Sequence, residues 1–406
     1  MTALTPAAAA RDGRDPIFRL HHEAVRRASE GEDILNATLG ALFEDDGRLA
    51  VMPSSAEAFA RVPADLAAGY APISGVPRFL EAVIGDVLAD SPAADQAVAV
   101  STPGCTGALH AAINNFLEPG QNALTSSHYW GSYNAITSYS GRGIDVFNMY
   151  DGDLRFDLTA FEEAVNRQIE RQGRALVLFN FPCHNPTGYS LHSDEWEAVS
   201  WIVRDAGERA PVAFLLDNAY AAFGSGANRW VSYVPRMLET ATVLVGWTIS
   251  KTFAQYGARV GALIAMHRDA DERARLGSAL GYSCRATWSN CNHAGQTAAT
   301  ELLTDPELRR RSTEERARLI ELLRARVAAF NEAAGAAGLS YPRYDGGFFV
   351  SVFTPDGEAT AARMREEGVY VVPRPGAVRL AICATPEAAI GRLVDAVAAG
   401  VAAAQA

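Results

Sequence analysis

The sequence predicts an α/β protein, with a large domain built on a mostly parallel sheet between helices and a smaller α+β domain beside it. Three observations carry that prediction. Short apolar runs bounded by Gly, Pro or polar residues alternate with amphipathic stretches over most of the chain. After about Thr304 the alternation gives way to one long charged stretch and then to shorter strand-like runs. The 406 residues suffice for one large core and a second, smaller one.

Each element follows from its own pattern. Residues 97–101, 175–181, 212–217, 242–246 and 262–266 are continuous, aliphatic or β-branched, and read as buried strands. Residues 106–116, 158–172 and 193–205 repeat apolar positions at helical spacing, and Ser193 followed by Glu195 and Trp196 marks a helix start. Strands alternating with such helices form parallel sheets covered on both faces. Residues 306–336 interleave Glu, Arg and Leu as one long helix; strands at 347–353, 369–372 and 378–383 follow, and a helix over 385–404 comes last. The expected division is an arm at 1–14, a small domain from 15–48 with 305–406, and a large domain at 49–304.

Composition narrows the function. No apolar run approaches the roughly 20 residues that span a bilayer, so no membrane partner is expected. The net charge of −11 offers no basic face and argues against a nucleic-acid partner. The Ala-rich start lacks a basic region followed by an apolar stretch and reads as an arm, not a signal peptide. Cys105, Cys183, Cys284, Cys291 and Cys383 are scattered without metal-like spacing, which fits a reducing, cytoplasmic setting.

Of 36 Lys and Arg residues, Lys251 is the single lysine. Arg cannot shed its proton near neutral pH or form an imine, whereas a desolvated lysine amine can do both. Thr248 and Ser250 precede Lys251 and Arg259 follows it, a set that can hold phosphate oxygens while the amine bonds an aldehyde. Those two groups together describe pyridoxal 5'-phosphate. Asp217 ends a strand, where ligands bind in α/β sheets, and there it can pair with a pyridine nitrogen. Standing alone it would more simply cap a helix. Tyr220 and Asn185, the latter in an Asn-Pro-Thr-Gly turn, can donate to the ring's phenolic oxygen. Pro103-Gly104-Cys105-Thr106-Gly107 between strand and helix makes an anion site. Trp130 can stack on a flat ring, although a core position is the commoner fate of a Trp.

In this order the segments resemble the fold-type I aminotransferases, in their aspartate and aromatic branch, over nearly the whole chain. Gly69-Tyr70-Ala71-Pro72-Ile73-Ser74-Gly75-Val76-Pro77-Arg78-Phe79 resembles that family's Tyr-x-x-Ile-x-Gly-x-Pro-x-Phe stretch. Pro103-Gly104-Cys105-Thr106-Gly107-Ala108-Leu109 matches its phosphate turn, and Cys183-His184-Asn185-Pro186-Thr187-Gly188 its Asn-Pro-Thr-Gly segment. Ser250-Lys251 through Arg259-Val260-Gly261 follows its Ser-Lys and Arg-Val-Gly run.

The resemblance implies an aspartate aminotransferase-like fold, a large domain that binds pyridoxal phosphate, and a homodimer with shared sites. By it, Lys251, Asp217 and Tyr220 are catalytic. Gly104, Cys105, Thr106, Thr248, Ser250 and Arg259 hold the phosphate, Trp130 stacks on the ring, and Tyr70 reaches the neighbouring subunit's cofactor. Arg379 takes the substrate α-carboxylate, with Arg374 as a rival for that role. Arg285 crosses the dimer toward a distal carboxylate, and Gly40, Asn185 and Trp130 flank the substrate. The expected reaction moves an amino group between an acidic or aromatic L-amino acid and a 2-oxo acid such as 2-oxoglutarate. Ser127-His128-Tyr129, Tyr133 and Cys291-Asn292 depart from the family pattern around the substrate pocket. These departures motivate a rival: elimination, replacement or carbon–carbon bond formation from the same carbanion.

Overall fold

A computed structural model describes residues 2–13, 15–89, 91–224 and 229–405. Met1 and Arg14, the ends of the expected arm, lie outside them. A two-residue strand, β1 (Leu35–Asn36), comes first. The large sheet then takes β2 (Ala97–Thr102), β3 (Asn122–Ser126), β4 (Gly143–Phe147), β5 (Ala175–Phe179), β6 (Val212–Asp217), β7 (Thr242–Thr248) and β8 (Gly261–Met266). Their spatial order is β2-β8-β7-β6-β5-β3-β4, parallel except for β8, which runs antiparallel to both neighbours.

Two of these strands, β3 and β4, are absent from the sequence expectation. β4 is one of the two edge strands and alternates Ile144 and Val146 with Asp145, whose carboxylate accepts from Asn122 Nδ2 at 2.8 Å. Half-exposed edge strands carry a period-two signal, not the continuous apolar run of a central strand such as β5, where every residue is buried.

The covering helices form for legible reasons. Helix Leu158–Gln172 buries Phe161, Ala164, Val165 and Gln168, one stripe at helical spacing. Asp157 caps its start by accepting from Ala160 N, and Gly173 ends it at φ 73° with its N–H on Ile169 O. Phe161 is fully buried against Phe147, Phe156 and Phe179, so Phe161→Ala would cost about 3–5 kcal/mol.

A second sheet lies C-terminal to the long helix Pro306–Ala336. It contains β9 (Phe349–Phe353), then β11 (Val372–Arg374) and β12 (Ala377–Ala381), in the antiparallel order β11-β12-β9; β10 (Val369–Tyr370) instead pairs with β1. Arg326 is fully buried on the long helix and donates to Cys383 O, Phe43 O and Asp45 Oδ1 at 2.7–2.9 Å. Those bonds satisfy most of its donors and tie residues 43–45 to the helix. The expected arm carries a short helix, Pro6–Ala9, and helix Pro16–Ser29 after it packs Leu20 and Ala24 on Tyr370. No helix among the described residues is long and apolar enough to cross a membrane.

Candidate active site

The sheet's topology gathers the polar residues. β2, β3, β5, β6 and β7 run parallel, so Thr102, Ser126, Phe179, Asp217 and Thr248 all end at one edge. β8 runs the other way, so its start reaches that edge: Gly261 pairs with both Thr102 and Thr248. This register sets Arg259 against the turn after β2, where its Nη2 donates to Pro103 O at 3.3 Å. Gly104 stands at φ 71°, and a Cβ there would lie 2.6 Å from Arg259 Nη2. Arg259 itself adopts φ 52°, a left-handed conformation that costs a non-glycine residue about 1 kcal/mol or more.

A cavity of about 190 Å³ opens there, lined by Cys105, Thr106, Trp130, Asn180, Asn185, Asp217, Ala219, Tyr220, Thr248, Ser250, Lys251 and Arg259. Lys251 sits on the turn after β7, capped by Thr248, whose hydroxyl accepts from Ser250 N. Its amine lies 5.4 Å from the Tyr220 ring centre and 5.7 Å from that of Tyr256. Burial holds the amine below the ordinary lysine range; Asp217 opposes that shift and Arg259 adds to it. Among the described residues, no carboxylate forms an ion pair with it.

Asp217 is buried and gripped from two sides. Cys105 Sγ donates to Oδ1 at 3.0 Å and Tyr133 OH to Oδ2 at 2.8 Å. Burial raises its pKa, and both donors pull back toward the carboxylate form. The same contacts, with burial foremost, push the Cys105 thiol and Tyr133 phenol well above their ordinary values. Asn185 Nδ2 donates to Tyr220 OH at 3.4 Å, while Asn185 Oδ1 is buried without a partner.

A second cavity of about 560 Å³ adjoins the first and shares Trp130 and Asn185 with it. Residues 12–13, 15–20, 129–135, 358–365 and 372–379 contribute its walls. Arg379 is buried there, its guanidinium 4.3 Å from the Phe349 ring centre and its Nη2 donating to Thr38 O at 2.6 Å. Burial lowers its pKa to about 10, and Nε has no partner.

Residues 33–397 match the family described as aminotransferase class I and II. The chain belongs to that family. It is 28% identical to an aspartate aminotransferase of Pseudomonas aeruginosa over 379 residues, 88% of this chain and 91% of that one. A crystal structure of an aminotransferase from Anaerococcus prevotii superposes with a TM-score of 0.92 at 27% identity, covering 99% of this chain and all of the other, 100%. An aromatic-amino-acid aminotransferase from Burkholderia pseudomallei, covalently bound to pyridoxal phosphate, gives a TM-score of 0.82 at 26% identity, over 98% of this chain and 100% of that one. The chain is therefore an aminotransferase-family enzyme with an aspartate aminotransferase-like fold, and the lyase alternative is not favoured.

Against this family background, the structure brings Lys251, Asp217, Tyr220, Asn185, Trp130, Thr106, Thr248, Ser250 and Arg259 into one cavity. Cys105 lines it too, but its side chain is committed to Asp217, leaving only its backbone for a phosphate. Gly40 lines neither cavity; a Cβ there would fall 2.6 Å from Phe349 Cζ, so the glycine makes room for the ring beneath Arg379. Tyr70 is 89% exposed, and Arg285 is exposed on helix Ala270–Thr287, outside both cavities. Two residues escaped the sequence reading. Asn180 donates to Asp217 O at 2.8 Å and accepts from Asn185 N at 2.7 Å, fixing both strand ends. Tyr256 lies beside the amine and accepts from Leu42 N at 2.9 Å. The signal for Asn180 was its place directly after a strand.

Proposed function

We propose that this enzyme is a pyridoxal phosphate-dependent aminotransferase moving an amino group between an acidic or aromatic L-amino acid and a 2-oxo acid such as 2-oxoglutarate. The observation that carries this is Lys251, a desolvated amine without an ion-pair partner, facing Asp217 across a cavity walled by phosphate-holding groups. Two features fit the cofactor: the Lys251 amine without an ion-pair partner among the described residues, and the Gly104 hollow that only a residue without Cβ leaves open to Arg259. When bound, the cofactor supplies an aldehyde carbon for the amino group and an electron sink for charge left on the substrate Cα.

The chain's own residues do the rest. Thr248, Ser250, Arg259, Thr106 and the backbone at Gly104 and Cys105 hold the phosphate. Asp217, whose carboxylate form is favoured by Cys105 and Tyr133 against the effect of burial, would hold a proton on the ring nitrogen. Tyr220 and Asn185 donate to the ring's phenolic oxygen, and Trp130 covers one face. With the cofactor bound, the Lys251 amine would take the proton from the substrate Cα and return it on the other side of the C–N bond. Arg379 holds the α-carboxylate through the guanidinium edge that carries the unpartnered Nε, with Phe349 and Gly40 behind it.

The proposal extends to assembly. Thr106 and Arg259 are exposed at the phosphate end, and Tyr70, Ile73 and Tyr282 present apolar surface on segments that touch where Gly281 meets Ser74. A second copy covering this face brings Tyr70 and Arg285 to its neighbour's site, giving a homodimer with shared sites. Residues 49–304 then act as the cofactor domain, and 15–48 with 305–406 as the smaller domain, in a cytoplasmic enzyme. A single-turnover spectrum tests the reaction. L-Glutamate or L-aspartate should bleach the bound cofactor's visible band, and 2-oxoglutarate should restore it. Ammonia release without that reversible bleaching would sink the proposal.

A further inference from the structure

The larger cavity holds a second guanidinium, the half-buried Arg374, that the reaction above leaves without a task. Arg374 and Arg379 belong to neighbouring antiparallel strands, in the register Arg374↔Ala377 and Val372↔Arg379. Opposed residues share a face and side chains alternate along a strand, so both arginines project from one face of the hairpin. Their Cα atoms are diagonal neighbours, about 7–8 Å apart. Both line the same cavity.

Neither cation has a carboxylate within ion-pair distance among the described residues, although the Asp15 charge acts on Arg379. Arg374 Nη2 donates to Tyr129 O at 2.7 Å, and a Cβ on Gly131 would sit 3.3 Å from its Nη1. The Asp15 carboxylate, on the same wall, caps its own helix through Ile17 N at 2.8 Å. Two like charges held close on a half-dry face are costly unless an anion joins them. A ligand with one carboxylate answers Arg379 alone; a ligand with two, set a short chain apart, answers both.

We propose that Arg374 reads the distal carboxylate of a dicarboxylic substrate within the same subunit as Lys251. This makes acidic amino acids and their 2-oxo acids the preferred substrates, and it rests on the aminotransferase reading above. Arg374 also rests on the backbone of the segment carrying Trp130, so the bound side chain would be held beside the cofactor's covering ring. Arg285, exposed outside this cavity, is the rival for the same carboxylate from a neighbouring subunit.

The test compares single-turnover half-reactions of L-aspartate, L-glutamate, L-alanine and L-phenylalanine in wild type, Arg374→Leu, Arg374→Gln and Arg285→Leu. Arg374→Gln keeps a donor for Tyr129 O while removing the charge. Both Arg374 variants should lose roughly 100-fold in efficiency with the two acidic donors, the scale of a lost charge-assisted contact, and less than about threefold with alanine and phenylalanine. An equal loss for all four donors would assign Arg374 to the α-carboxylate and overturn the proposal. So would weakened cofactor binding as the sole effect in both variants, or acidic selectivity lost in Arg285→Leu and kept in both Arg374 variants. Wild-type turnover of alanine or phenylalanine without any preference for acidic donors overturns the proposal and leaves the aminotransferase reading standing.

Discussion

The two adjoining cavities are built on different principles. The inner one lies along the edge of a single sheet, and its residues arrive at strand ends in sequence order: Thr106, Asn185, Asp217, Thr248 and Lys251. Its polar groups are cross-braced, with Asn180 joining the ends of β5 and β6 and Cys105 and Tyr133 gripping Asp217. The outer cavity draws its walls from segments more than 300 residues apart, and two of its cations, Arg374 and Arg379, form no ion pair with a carboxylate among the described residues. On the reading proposed above, reaction type is set at the sheet edge, and substrate choice where the second sheet and helix Pro16–Ser29 meet it.

The sharpest way to break this division is to remove the inner amine. Lys251→Ala should lower turnover about 10,000-fold for every donor alike, the upper range for a lost proton carrier. After borohydride treatment and denaturation, wild type should retain cofactor and the variant should release it. A donor-selective loss would mean that the inner cavity also chooses substrate. Asp217→Asn ranks next, at roughly 100-fold. The amide keeps the shape but cannot hold a proton on the ring nitrogen as an anion does. Tyr133→Phe removes one of the donors that favour the Asp217 carboxylate. Its deficit should therefore grow as pH falls, and a flat ratio to wild type across pH would contradict that role.

The same division explains what the sequence could reveal. Strands β5 to β8 were visible because a fully buried strand must be continuously apolar, and Lys251 stood out because no other residue here can offer an amine and lose its proton. The Asp217, Asn185 and Tyr220 set was readable because Asp217 ends a strand and the other two lie in the segments that follow strands. β3 and β4 were not, because Asn122-Ala123-Leu124-Thr125-Ser126 is short of apolar residues and β4 is an edge. The outer cavity was illegible for a deeper reason. Nothing in a local pattern tells that Asp15, Tyr129 and Arg374 share a wall, since only the packing of helix Pro16–Ser29 and the β11–β12 hairpin brings them together. Cys105 was assigned to the phosphate because its turn suits an anion, yet its side chain serves Asp217.

Gly104→Ala probes the inner cavity's phosphate end with a smaller effect. The added Cβ meets Arg259 Nη2 at 2.6 Å, and φ 71° strains any residue other than glycine. Displacing Arg259 should weaken cofactor affinity about tenfold while leaving the ranking of amino donors unchanged in the cofactor-saturated enzyme. A changed ranking would blur the line between the two cavities.

The smallest effect is expected where the cavities touch. His128 precedes Tyr129 and Trp130, and its ring packs against Tyr150 and Phe353 at 5.8 and 5.6 Å. Burial first, and then the Arg374 charge, lower its pKa from 6.5 to about 4. Between those values the unfolded chain binds more protons at this residue than the folded one. Its contribution to stability is therefore complete above pH 6.5 and is lost as pH falls through about 4. Arg374→Leu removes only the secondary cause, so His128 should titrate slightly higher, and the variant should lose slightly less stability than wild type between pH 7 and pH 5. Side-chain NMR titration of His128, with His128→Phe to assign the resonance, measures the first; denaturant midpoints at the two pH values measure the second. An unmoved His128 pKa in Arg374→Leu would mean that the outer cation is electrically insulated from the Trp130 segment. The two cavities would then be coupled through packing alone.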